Sequence, residues 1–437
     1  MNTQSEPQIE VGVMSAAELR FCFDGQYKCN INNKKYAGEH HVKIENGRLL
    51  FDDEEFSETI FSPADSSATF SLHDVCIGIG FHWEQRETQR FTGQLKIICE
   101  NDKLWAINRL SIEDYLFCVI ASEMSATSSL ELLKAHAVVS RSWLIAQLDK
   151  TKKVSSAGYT SQQITENERI RWYDREDHTL FDVCADDHCQ RYQGLTRATS
   201  QAVRDAIDAT RGQLLTYNSE VCDARFSKCC GGVTERFESC WENIQHPYLQ
   251  VFTDNDKKPE GYNLDLTQED NARQWIETEP VAFCNTNNKV ILRQVLNSYD
   301  RTTSDFYRWK VVYDVEQLSE LVRRKTGIDF GKITNMTPIE RGASGRIVKL
   351  RIDGTARSLI IGKELEIRRA LSESHLYSSA FTITWSADRQ HVTLHGAGWG
   401  HGVGMCQIGA AMMSERGYTY IEILNHYFRG AEIKKRW

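Results

Sequence analysis

The feature that most restricts the fold is a change of apolar period at Leu110. Upstream, across residues 9 to 105, apolar residues alternate or run in short stretches, Ile9 to Val13, Leu19 to Phe23, Val75 to Phe81 and Gly93 to Ile98, separated by turn residues. This patterning predicts the strands of a β-rich domain over residues 1–105. Downstream, Ile112, Tyr115, Leu116, Val119 and Ile120 fall at i, i+3, i+4, i+7 and i+8 behind a Ser111 to Asp114 cap, the mark of an amphipathic helix. A second helix is expected from a Ser128 to Glu131 capping pattern through Leu132, Leu133, His136, Val139 and Trp143 to about Leu148.

Lys152 to Asp177 and residues 250–290 read as loops. Beyond them a strand is expected over Trp309 to Tyr313, a helix over Glu316 to Thr326, and strands over Ile333 to Glu340, Ile347 to Ile352 and Ser358 to Ile361. Two helices, Met405 to Arg416 and Tyr420 to Phe428, close the pattern, the second behind a Thr419 to Glu422 cap. The order of elements gives an α+β fold rather than a βαβ repeat: a β-rich domain over 1–105, then a mixed α/β region over 106–437 that includes an α+β insert at 250–385. A length of 437 residues suits two or three such units.

Composition excludes several functions. The net charge of -8 is spread over interspersed acidic and basic residues, so nothing favours nucleic acid or an anionic membrane as partner. The basic end, Lys434, Lys435 and Arg436, reads as a solvated helix end. No apolar run approaches the ~20 residues of a membrane span, and Glu6 and Glu10 stand where an export signal would be basic and then apolar. Thirteen cysteines cannot all be paired within one chain, which suits a reducing compartment; a trimmed leader would leave the same sequence, so the location stays open.

Glu123 lies four residues after Val119, so a helix that reaches it aims its carboxylate along the apolar stripe, where desolvation raises the pKa toward that of a general acid. The other reading is a frayed helix end turned to water. His136 falls on the apolar face of the second helix and is either a core residue or, with Arg141, part of a cleft. The twelve residues from His178 to Cys189 hold His178, Cys184, His188 and Cys189, a soft donor set that zinc prefers, unless chance clustering explains it. His178, Cys184 and Cys189 are the best ligands and His188 a competitor.

The pair Cys229-Cys230 before Gly231-Gly232 is a weaker metal or redox candidate, and a buried tight turn explains it better. Five glycines between 396 and 404 surround Trp399 and lack both the dinucleotide pattern and the lysine of a phosphate loop. Stacking of Trp399 on a sugar, with hydrogen bonds from His395, His401 and Gln407, is one reading, and a structural turn is the other.

Glu113-Asp114-Tyr115-Leu116 through Ala121-Ser122-Glu123-Met124, and Leu133 to Arg141, closely resemble the opening of the SpoIID/LytB domain. Phe226-Ser227 with Gly231-Gly232-Val233-Thr234 and Trp241 resembles its middle block, and Gly398 to Ala410 its closing signature. The resemblance spans residues 106 to 437. It implies a peptidoglycan lytic transglycosylase with Glu123 as the single acid and base, His136, Arg141, Ser227, His395, Trp399, His401 and Gln407 toward the glycan, and zinc beside the cleft at His178, Cys184 and Cys189. The chain departs from the family pattern at Ser125, where Pro is usual, at His136, often Gln, and at Lys228-Cys229-Cys230.

Two other functions stand beside this one. A wall-binding or amidase-stimulating module would use Glu123 only as a contact. A zinc hydrolase would use the His178 site, but no Glu stands in a His-Glu-x-x-His motif.

Overall fold

The computed structural model describes residues 5–78, 84–125, 127–154, 161–173, 178–186, 189–198, 200–295 and 305–437. The fold is α+β, and its β-rich part is N-terminal. The chain forms two compact units, one of Met1–Ala126, Arg175–Gln213 and Lys435–Trp437, the other of Thr127–Asp174 and Leu214–Lys434. Segment 1–105 thus lies in the first unit, together with the first helix and the His178 to Cys189 stretch.

The first unit rests on strands β1 (Gln8–Ala16), β2 (Glu18–Cys29), β3 (Lys35–Glu45), β4 (Arg48–Phe51), β5 (Glu54–Phe56), β6 (Glu58–Pro63), β7 (Thr69–Ile77), β8 (Gln85–Phe91), β9 (Gln94–Glu100) and β10 (Lys103–Ser111). Their order is β1-β10-β9-β6-β2-β3-β4-β5, with β7 on β2 and β8 on β7, and the short strand Val183–Cys184 adds to the free side of β1. Alternation puts Phe21, Phe61, Phe70 and Phe91 fully inside, and the rings of Phe70 and Phe91 stack at 5.3 Å. The sheet core is aromatic, and each such side chain contributes about 1.5–3 kcal/mol by leaving water.

Helix α1 (Ile112–Glu123) follows β10 directly, and Ser111 Oγ accepts from the Asp114 N–H at 3.2 Å as the spacing predicts. Ile112, Tyr115, Leu116, Cys118, Val119 and Ile120 are all fully buried, so α1 is a core helix rather than a surface one. The helix stops at Glu123 because Met124 turns to an extended conformation.

In the second unit α2 (Leu130–Val154) starts differently from the expected cap. Ser128 Oγ donates to the Gln294 carbonyl at 2.6 Å, and Glu131 is taken up by Lys134 and by the Tyr420 N–H, so a long-range partner replaces the local box. The helix also runs past Leu148. The loop expected over Lys152 to Asp177 instead contains a hairpin, Gln162–Ile164 with Glu168–Arg171, which extends the sheet of Ser358–Gly362, Ile347–Gly354 and Ile333–Arg341. Its parallel register, Glu168 opposite Ile360, spans half the chain and leaves no local signal.

The remaining expected elements of this unit form close to their predicted bounds, including Arg308–Asp314, Val315–Thr326 and the two C-terminal helices, Gln407–Glu415 and Tyr420–Tyr427. The second carries the full Thr419–Glu422 capping box. Leu318, Val322, Leu350, Ile352 and Leu394 form the centre of its core. Two expectations fail here. The 250–290 stretch read as loop carries the helix Glu269–Glu277, and the basic end forms the strand Glu432–Lys435 rather than a helix end, pairing with Gln213–Tyr217.

Candidate functional site

The last residue of α1 is the half-buried Glu123, and its Oε1 accepts the Arg191 N–H at 3.3 Å. One residue earlier, Ser122 Oγ accepts the Gln193 N–H at 3.2 Å and donates to the Cys118 carbonyl at 2.7 Å. The end of α1 is therefore fixed to the segment 190–193. Tyr115, two turns earlier on α1, donates to Gln190 Oε1 at 3.3 Å and stacks on Tyr192 at 5.3 Å. Burial, then the negative charges of Cys189, Cys184 and Glu123, push its phenol far above the usual range. It stays a neutral donor.

The same segment leads back to the His/Cys cluster. Val183 and Cys184 pair in parallel with Val11 and Gly12 of β1, and the Ala185 N–H donates to the Gly12 carbonyl at 3.0 Å. Phe181 lies so close over Gly12 that a Cβ there would meet its ring at 2.4 Å. The Cys189 N–H closes a turn onto the Asp186 carbonyl, bringing Cys189 Sγ to 3.5 Å from His178 Nε2 and to 3.4 Å from the Cys184 N–H. One donor atom each from His178, Cys184 and Cys189 lies within 4.8 Å of the others. Two thiols and an imidazole at that separation fit a zinc ion with one position left over. His188 lies outside the described residues.

The glycan-facing residues expected from sequence all lie in the second unit, and several are interior. His136 and Arg141 are fully buried, as is all but 2% of Gln407. His136 Nε2 meets the Gln407 amide at 3.0 Å and Nδ1 meets Ser140 Oγ at 3.1 Å. Burial, with the Lys228 charge second, pushes its pKa down to about 3, so it is a neutral hydrogen-bonding core residue. Arg141 reaches back to the Ala137 carbonyl on its own helix at 3.5 Å. His136 and Gln407 thus tie α2 to the closing motif from within, and these three buried side chains offer a glycan almost no surface.

Ser227 is 7% exposed, and its hydroxyl has no hydrogen-bond partner among the described residues. Trp399 is half-buried, with Phe306 stacked on it at 4.7 Å and Tyr377 at 4.6 Å, so other aromatic rings already pack against the stacking platform expected for a sugar. His401 packs edge-on to Trp241 at 4.8 Å and accepts the Val403 N–H on Nδ1. Burial and the charges of Arg225, Arg346 and Arg368 hold it well below the usual range, hence neutral. His395 opens onto a cavity of about 400 Å³ that Arg308, Trp309, Thr384 and Glu277 also line.

The left-handed Gly398, Gly400, Gly402 and Gly404 let the loop run through the interior. Trp399 exchanges both backbone hydrogen bonds with Cys229, while Gly400 and Gly402 bond to Tyr377, Arg346 and Glu235. The structural-turn reading of this motif is therefore the one its hydrogen bonds support. Sequence reasoning did not single out Tyr115, Gln190 or Arg191, whose only local signal is nearness to a motif.

A family model described as Stage II sporulation protein, SpoIID, matches residues 100–217, which hold α1, Glu123 and the His178 cluster. The chain is 25% identical over 333 residues to Stage II sporulation protein D of Bacillus subtilis, covering 76% of each chain. Residues 100–217 thus match the SpoIID family. A second SpoIID relative, from Bacillus amyloliquefaciens, is 23% identical over 76% of each chain, and the Amidase enhancer of Bacillus subtilis is 25% identical over 72% of this chain and 39% of its own. Residues 235–404 match a domain of unknown function, DUF8618, so a second family segment follows the SpoIID match.

Proposed function

We propose that this protein cleaves peptidoglycan glycan strands as a lytic transglycosylase, with Glu123 as the single acid and base. The observation that carries the reading is the placement of Glu123. A half-buried carboxylate at the last residue of a core helix accepts the Arg191 N–H, and its charge is felt by the neutral Tyr115 two turns earlier. In the reaction Glu123 gives its proton to the leaving glycosidic oxygen. The carboxylate then takes the proton of the muramic acid C6 hydroxyl as O6 attacks C1, which forms a 1,6-anhydro end and restores the acid. No water enters, so one carboxylate suffices, unlike the paired carboxylates of hydrolases.

His178, Cys184 and Cys189 would hold a zinc ion that fixes the segment leading to Arg191. The thiolate-rich donor set gives it a structural part rather than that of a Lewis acid. The Arg191 N–H then keeps Glu123 at one orientation.

The relation to the Amidase enhancer supports a second reading, a wall-binding accessory protein in which Glu123 is only a contact. The test is mass spectrometry of peptide-stripped glycan strands incubated with wild type and Glu123→Gln. Anhydro-ended products from wild type, reduced about 10²- to 10⁴-fold or more in the variant, support the transglycosylase. Reducing ends instead of anhydro ends sink it in favour of a hydrolase, and intact strands with both proteins favour the accessory reading.

A further inference from the structure

The Cys229-Cys230 pair resolves into something neither a tight turn nor a local motif would give. Cys230, Asp254, Cys284 and Cys406 come together in the core of the second unit, with donor atoms within 4.8 Å of one another. They are separated by as much as 176 residues, so no spacing announces them. Cys230 Sγ stands 3.6 Å from Cys284 Sγ and 3.4 Å from Asp254 Oδ2, and Cys406 Sγ accepts the Cys230 N–H at 3.2 Å.

These separations have a meaning. A tetrahedral zinc ion with Zn–S near 2.3 Å and Zn–O near 2.0 Å sets sulfurs about 3.8 Å apart and sulfur and oxygen about 3.5 Å apart. A disulfide would need about 2.05 Å between sulfurs, and the four donors are too close to enclose an iron–sulfur cube.

The surroundings are those of a prepared carboxylate ligand. Asp254 is fully buried, and its other oxygen, Oδ1, accepts from Tyr427 Oη at 2.7 Å and meets His426 Nε2 at 3.3 Å, which leaves Oδ2 toward the sulfurs. Gly409 makes room for it, since a Cβ there would come within 2.4 Å of Oδ2. The buried Cys229 thiol also hydrogen-bonds to Cys284 and Cys406, and a buried carboxylate among four buried thiols is costly without a cation. No disulfide joins any two cysteines among the described residues.

We propose that Cys230, Asp254, Cys284 and Cys406 form a second, structural zinc site. Binding converts the three thiols to thiolates, their protons leaving to solvent, and fills the shell with four protein ligands and no open position. Asp254 and Cys284 come from stretches without helix or strand, whereas Cys406 follows the glycine-rich loop. The ion would staple that loop to the 250–290 region at two stretches that flank its helix Glu269–Glu277.

The inference is independent of the catalytic reading, and its test uses the full chain without any activity assay. Wild type purified without chelator should hold two equivalents of zinc by plasma mass spectrometry. Cys184→Ser with Cys189→Ser removes the first site and should leave one equivalent, and Cys284→Ser should lose one equivalent from wild type. Because Cys284→Ser could unfold its unit, zinc X-ray absorption of the Cys184→Ser, Cys189→Ser protein reads the remaining ion directly. Three sulfurs at about 2.3 Å and one oxygen at about 2.0 Å support the site. Absence of zinc in that protein, a shell with fewer than three sulfurs, a shell of four sulfurs, which would put Cys229 in place of Asp254, or a Cys230 to Cys284 disulfide in peptide mapping of native wild type would overturn it.

Discussion

His136 offers a sharp test of how the interior of the second unit is held. Its pKa is about 3 in the folded protein against about 6.5 when unfolded, because the folded site removes water and places Lys228 nearby. The unfolded chain therefore binds a proton at this residue before the folded one does. Stability from the neutral imidazole is present above pH 6.5 and is lost as pH falls from there toward 3. At pH 5, about 1.5 units below the unfolded value, the loss is about 2 kcal/mol at 1.36 kcal/mol per unit. His136→Gln keeps a side chain able to meet Gln407 and removes the titration. Denaturant unfolding of both proteins at pH 7.5 and pH 5.0 isolates the effect, since every other titrating group is shared. Wild type should lose about 2 kcal/mol more than the variant on acidification. Equal losses would refute the picture of a neutral, desolvated His136 bonded to Gln407.

Two further outcomes follow from buried contacts in the first unit. Glu113, 2% exposed, accepts from the Gly212 N–H at 3.1 Å and from Trp437 Nε1 at 2.9 Å. Glu113→Ala strands two donors and should cost about 2–4 kcal/mol in thermal or urea unfolding, whereas Glu113→Gln, which keeps an acceptor, should cost clearly less. Gly12→Ala drives a Cβ into Phe181 beside the strand that carries Cys184. Overpacking of about 1–3 kcal/mol should appear as a roughly tenfold or greater loss of zinc affinity at the His178 site in a chelator competition, with unchanged affinity arguing against a coupling between strand and ligands.

Local chemistry was enough for much of this molecule. The period change at Leu110, the Ser111 cap and the buried stripe of α1 depend on residues a few positions apart, and they put Glu123 at the end of a core helix before any coordinates are seen. His178, Cys184 and Cys189 were legible for the same reason, since twelve residues span the whole donor set. Tertiary structure decided what rests on distant partners. Gln294 replaced the cap of α2, and Ser358–Gly362 turned a polar stretch into a hairpin. Arg191 gave Glu123 its orientation, and Phe306 occupied the face of Trp399. His136, Arg141 and Gln407 look like cleft residues in a linear motif, yet they are interior because α2 and the closing loop bury them against each other. The Cys230, Asp254, Cys284 and Cys406 cluster is the extreme case: only Cys230, in its Cys-Cys pair, gave a weak local signal, and only the folding of four remote segments onto one point gives them a common chemistry.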